Sequence, residues 1–117
     1  MLKLVIAIAG VAAATVLAVP VLAAPNAQTV RVTESEYRIA LSARPKSGTV
    51  TFVIRNTGDD GHDFWLRGGG KTWKSRVLGE AGAARLTARL KAGVRYQYWC
   101  GVGSHADKGM RGSFVAR

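Results

Sequence analysis

From Val30 onward, apolar residues return at every second position in one short run after another, and a period of two belongs to half-buried β-strands. Val30 and Val32 alternate with Arg31 and Thr33; Tyr37, Ile39 and Leu41 alternate with Arg38, Ala40 and Ser42. Val50, Phe52 and Ile54 share one face of Gly48 to Asn56, a segment rich in β-branched residues. His62, Phe64 and Leu66 face one way in the next run, with Asp63, Trp65 and Arg67 facing the other. Between these runs stand turn residues, most densely at Asn56-Thr-Gly-Asp-Asp-Gly61. Gly68-Gly69-Gly70 breaks the pattern, and the stretch to Gly82 is irregular, with a short strand or helical turn near Trp73 to Leu78.

Ala83 to Ala92 is helical by propensity, yet Ala84, Leu86, Ala88 and Leu90 alternate without a break against Arg85, Thr87, Arg89 and Lys91. Bounded by glycines and one turn from another alternating run, it reads as a strand. Val94, Tyr96, Tyr98 and Cys100 form the inward face of the strand that follows, and Gly112 to Ala116 forms the last. About seven to eight short strands without a long helix predict an all-β fold, a two-sheet antiparallel β-sandwich with Greek-key connections.

The chain has 117 residues, enough for one domain. Residues 1–23 read as an export signal: Lys3 is a short positive region, Leu4 to Leu22 is almost wholly apolar, and Val21-Leu22-Ala23 offers small residues for cleavage. There is no twin arginine, so the general secretory route, with folding outside the cytoplasm, is expected. The competing reading is a retained membrane anchor, since the apolar stretch is just long enough to span. Residues 24–117 are then the folded domain, exported to the periplasm or beyond. That length buries enough surface to fold without staples.

Seventeen Lys and Arg against seven Asp and Glu give a formal charge of +10, which draws the protein to anionic surfaces. A protein with an acidic docking surface is the expected partner. Nucleic acid is not, because the cations are scattered along an exported chain rather than gathered in an arm with aromatics. The membrane enters only through a retained leader, and the default is a monomer.

Cys100 is the chain's single cysteine, so no internal disulfide can form. A lone thiol in an oxidising compartment is a liability or a ligand. Five residues on lies His105 and five further Met110, in Cys100-Gly-Val-Gly-Ser-His105-Ala-Asp-Lys-Gly-Met110; the other histidine is His62. Taken singly, each has an ordinary explanation: a buried small hydrophobe, a surface imidazole, a core filler. Together, two imidazoles, a thiolate and a thioether are the donors of a mononuclear copper site with a weak axial sulfur. Cys100 ends one inward face and His62 begins another, so both reach one pole of a sandwich, and the glycines at 101, 103 and 109 let the loop fold back. With these groups given to metal, little remains for acid–base or nucleophilic catalysis, so no enzyme is expected.

The segment Tyr98-Trp99-Cys100-x4-His105-x4-Met110-Arg-Gly-Ser-Phe114-Val, with Gly48–Asn56 and the histidine at position 62, resembles the cupredoxins, the small blue copper proteins. The likeness runs from about Thr29 to Arg117 and is nearest to bacterial single-domain members. It implies His62 and His105 as equatorial imidazoles, Cys100 as thiolate, Met110 as axial thioether, and one copper ion cycling between Cu(I) and Cu(II). It further implies single-electron shuttling, with His105 as a partly exposed port framed by Val102 and Ala106. Where many members carry asparagine after the first histidine, this chain has Asp63, which leaves a backbone N–H able to donate to the thiolate. A copper carrier on the same fold, without an obligatory redox partner, is the alternative.

Overall fold

A computed structural model describes residues 1–20 and 27–117. Its eight strands are β1 (Gln28–Ser35), β2 (Arg38–Leu41), β3 (Gly48–Asn56), β4 (Trp65–Gly68), β5 (Lys71–Lys74), β6 (Ala83–Leu90), β7 (Arg95–Trp99) and β8 (Arg111–Val115). They form two four-stranded sheets, in the orders β2-β1-β3-β6 and β5-β4-β7-β8. The fold is an all-β sandwich.

Alternation decides which face of each strand is buried. Val30 and Val32 of β1, Val50, Phe52 and Ile54 of β3, Leu66 of β4 and Tyr96 of β7 are essentially inaccessible to solvent and pack into one core. Each such aliphatic or phenyl side chain contributes about 1.5–3 kcal/mol by leaving water. Phe52 meets Phe64 with ring centroids 5.6 Å apart, joining the sheets across the middle. Tyr96 is buried with its hydroxyl satisfied, accepting the Lys91 N–H at 2.8 Å. Ala83–Leu90 is a strand as expected: its pairing to β3 over eight residues overrides its helical propensity.

Two features depart from the sequence reading. The sheets are not wholly antiparallel, because β1 and β3 run parallel from Gln28↔Val50 to Glu34↔Asn56. β2 turns back along one edge of β1, and the connection through residues 42–47 carries the chain to the other edge. Alternation is the same in both pairings, so the sequence pattern cannot distinguish them. Parallel pairing has a consequence for the site: it delivers Glu34, Glu36 and the loop after Asn56 to the same pole. The second departure concerns His62, which begins no strand. It forms an isolated bridge to Leu78, donating to the Leu78 carbonyl at 3.1 Å and accepting from the Leu78 N–H at 2.7 Å.

Residues 1–20 form no helix or strand, and their apolar side chains add nothing to the core. The cleavage position at Val21-Leu22-Ala23 lies outside the described residues. Among the described residues, no helix is long and apolar enough to cross a membrane.

Candidate metal centre

The loop from Cys100 to Met110 is closed at its base and wound on itself. Cys100 N–H donates to the Met110 carbonyl at 3.0 Å, and Met110 N–H donates to the His105 carbonyl at 3.1 Å. Inside, His105 N–H reaches Val102 O and Lys108 N–H reaches Ser104 O. Gly103 and Gly109 take φ of 48° and 123°, values side chains resist. Gly101 serves differently: a Cβ there would run into the Trp65 indole.

This loop and the His62 bridge bring three donor atoms together. His62 Nδ1 and His105 Nδ1 are 3.2 Å apart, and Cys100 Sγ lies 3.8 Å from the first and 3.7 Å from the second. A point equidistant from all three lies about 2.1 Å from each, a metal–imidazole bond length and little short of a metal–thiolate one. Among the described residues, these are the group of His, Cys, Asp and Glu side chains able to hold a metal ion. Met110, the fourth sequence candidate, is fully buried at the loop's closing end.

The imidazoles are aimed from behind. His62 is wholly buried, and its Nε2 lies 2.9 Å from Glu36 Oε1. The ring therefore carries its proton on Nε2, donated to the carboxylate, and offers the Nδ1 lone pair to the centre. His105, 12% exposed, also turns Nδ1 to the cluster, with Nε2 on the side of Asp60 Oδ2 at 3.9 Å, beyond hydrogen-bond reach. Two imidazole lone pairs and a sulfur converging in a buried pocket are stabilised when a cation occupies the middle. The donor set fits copper: a soft thiolate with two imidazoles in one plane. Burial pushes the Cys100 thiol up, while backbone N–H groups of Asp63 and Val102 directed at the sulfur pull it down. A bound cation deprotonates such a thiol outright.

Asp63 braces the loop. Its Oδ1 accepts the Gly101 N–H at 2.6 Å and its Oδ2 accepts the Trp65 indole N–H at 3.0 Å. A carboxylate can accept both, which an asparagine's single oxygen cannot do with equal geometry.

Four residues around the centre escaped the sequence reading. Asn56 looked like a turn residue, yet it ties the loop before His62 together: Nδ2 donates to Asp60 O at 2.7 Å and Leu78 O at 3.0 Å, and Oδ1 accepts from Gly58 N–H. Glu36 drew no reading, and Asp60 counted only as part of the turn cluster from Asn56 to Gly61. Glu36 is held as carboxylate, its pKa lowered to about 2 by the Asp60 N–H first and His62 second. A Cβ on Gly58 would collide with that carboxyl group and push it off its present place. Glu34 is the inward residue that breaks the run Val30, Val32; it is fully buried, and neither carboxyl oxygen has a hydrogen-bond partner. Burial, and secondly the charge of Asp63, raise its pKa to about 8. The break in apolar alternation was a visible signal for Glu34; nothing in the sequence marked the others.

The rim of His105 is more polar than the resemblance implied. Tyr37 meets the His105 ring edge-on at 5.0 Å between centroids, and the Lys108 ammonium lies 4.5 Å above the Tyr37 ring. Val102 and Ala106 are half-buried beside it.

No protein-family model matches the sequence, and a search of curated proteins finds no relative. Solved structures do match. A reduced auracyanin from the photosynthetic bacterium Roseiflexus castenholzii aligns at 17% identity and TM-score 0.60, over 81% of this chain and 99% of that one. Reduced rusticyanin aligns at 21% identity and TM-score 0.52, over 81% and 87%. A multicopper oxidase aligns at 15% identity and TM-score 0.52 over 78% of this chain, which covers only 41% of the oxidase. Identity at this level speaks for architecture alone: the chain has the cupredoxin fold, with a His-Cys-His cluster where its strand ends meet.

Proposed function

We propose that this is an exported type 1 copper protein that carries single electrons between redox partners. The observation that carries the reading is the triangle of His62 Nδ1, His105 Nδ1 and Cys100 Sγ, sized for one ion. Copper supplies a one-electron couple when bound. The chain's part is to hold the donors still. His62 is fixed by its backbone bridge and Glu36, His105 by the wound loop, and Cys100 by its bond to Met110 and the Asp63 brace on Gly101. Donors locked in one arrangement reorganise little when the ion's charge changes. Met110, buried at the end of the same loop, would complete the donor set as a weak thioether ligand. Residues 1–23 are assigned to export and removal, with copper acquired afterwards. The matched oxidase is more than twice the aligned length, and both imidazoles and the thiol of this chain are committed to the ion; an electron carrier is the simpler assignment.

The charged rim of His105 favours one second reading, a copper carrier that surrenders its ion to a client. Asp60, 3.9 Å from Nε2, sets a carboxylate at the rim, where a departing cation would pass.

The deciding experiment is Cu(II) titration of residues 24–117 followed by visible absorption, beside Cys100→Ser. An intense thiolate-to-copper band saturating at one equivalent and absent in the variant supports the type 1 site. A colourless or weakly coloured wild type refutes it. Retention of copper through repeated reduction and reoxidation separates the electron carrier from the copper carrier.

A further inference from the structure

The second sheet buries one face on the core and leaves the other to solvent. Register places Lys74, Trp65, Trp99 and Arg111 side by side across β5, β4, β7 and β8 on that outer face. The Trp65 and Trp99 rings stack, with centroids 5.7 Å apart and planes 19° from parallel. Lys74 Nζ lies 5.0 Å over Trp65, and the Arg67 guanidinium 5.2 Å over Trp99. Alongside opens a groove of about 480 Å³ whose walls include Arg67, Gln97, Trp99, Arg111 and Ser113, and no carboxylate lines it. Cation–π contacts of this kind hold the long basic side chains in place, so less entropy is lost when a ligand arrives.

The acids lie elsewhere. Glu36, Asp60 and Asp107 stand around or within the loops carrying His62 and His105. An acidic molecule approaching the His105 rim meets these three carboxylates, which Lys108 only partly offsets, and like charge costs affinity and rate. On the sheet face the exposed charges are cations; the nearest acid, Asp63, is buried behind Trp65 with its oxygens taken by the Gly101 and Trp65 N–H groups.

We propose that this cationic, tryptophan-floored face of β4, β7 and β8 is the docking surface for an acidic protein partner. Arginine forks match carboxylates two bonds at a time, and tryptophan with arginine is the composition of interface hot spots. A concave groove takes protruding carboxylate side chains better than it takes a flat lipid surface. The location serves the proposed function, on which only its purpose rests: Trp99 is joined by one peptide bond to Cys100, so a partner seated there adjoins the metal centre.

The test is titration of the ¹⁵N-labelled, copper-loaded domain with polyglutamate at low salt, read by NMR with Cu(I) bound. Saturable shifts are expected at the Trp65 and Trp99 indole N–H signals but not at Trp73, whose ring packs on Tyr96 instead. Raising the salt to 0.5 M should weaken binding at least tenfold. Arg67→Glu with Arg111→Glu should weaken it at least tenfold, whereas Arg85→Glu with Arg89→Glu, the same charge change on exposed positions of β6, should leave it within about threefold. All four side chains are exposed, and unchanged dispersion of the core signals confirms folding. Equal loss in both double variants would reduce the effect to net charge and overturn the proposal. So would shifts centred on Tyr37 and Lys108, or tighter binding of anionic phospholipid vesicles or single-stranded DNA at the same salt. Without a blue band but with these shifts, the electron-carrier reading fails while the docking face stands; the reverse result fails the docking face alone.

Discussion

Glu34→Gln in the copper-free domain isolates the cost of burying an acid beside this centre. Glu34 is inaccessible to solvent, unpartnered, and has its pKa raised from 4.5 to about 8, chiefly by burial. In the unfolded chain it ionises near its ordinary value, so between pH 4.5 and 8 the native state holds a proton that the unfolded state has released. Glu34's contribution to stability is then most favourable below pH 4.5 and falls as pH rises towards 8. At 1.36 kcal/mol per unit, the loss is about 3 kcal/mol by pH 7 and about 4 kcal/mol by pH 8. That is a large part of the 5–15 kcal/mol typical of a domain. Glutamine keeps the size and removes the titration. Urea unfolding at pH 5, 6.5 and 8 measures both proteins. At pH 5 they are expected within about 1 kcal/mol of each other, since neutral acid and amide are both buried without partners. By pH 8 the variant is expected to have gained about 3 kcal/mol on the wild type. Glu36, lowered to about 2, acts with the opposite sign: its contribution is present above pH 4.5 and lost as pH falls through 2, outside this range. Parallel curves for the two proteins from pH 5 to 8 would refute the reasoning.

Asp63→Asn keeps one acceptor for the Gly101 N–H and sets an NH2 group against the Trp65 indole; an unfolding free energy lower by about 1–2 kcal/mol is expected, with the charge-transfer band retained. Glu36→Ala removes the acceptor behind His62, and Cu(II) affinity measured by chelator competition should fall about 10–100-fold, with Glu36→Gln recovering part of the loss through its amide oxygen. Gly58→Ala should reproduce the Glu36→Ala loss, because its methyl occupies the place of the carboxylate. Gly112→Ala puts a methyl into the Tyr98 hydroxyl opposite it in the sheet; thermal melting should show a loss of about 1–3 kcal/mol, and an unchanged melting temperature would mean that Tyr98 moves aside freely.

Local pattern carried most of the architecture. Alternation in Val30–Val32, Val50–Ile54 and Ala84–Leu90 needs no tertiary information, because a strand's faces are set by its own period of two, and an aqueous solvent decides which face turns inward. The donors were equally legible: Cys100, His105 and Met110 share one short loop, and a lone thiol in a chain expected to be exported has few uses. What pairs with what was not legible. β1 and β3 run parallel although the same alternation suits antiparallel pairing, and His62 holds its place through a bridge to Leu78, sixteen positions away, rather than through a strand.

The surroundings of the donors were decided only by the folded chain. Glu36 and Asp60 lie far from Cys100 in sequence and carry no mark of what they do. They stand behind the two imidazoles because parallel pairing returns β1 and β3 to one pole, and because the Asn56 amide closes the loop between them. The segregation of acids around the centre from cations on the outer sheet is likewise invisible in a chain where both signs are interspersed. By itself the sequence determined the strands, the inward faces and the donor atoms, since these follow from short-range periodicity and side-chain chemistry. The tertiary structure decided how the donors are aimed and where the charges gather, since hydrogen bonds and fields act through space between residues that the chain keeps apart.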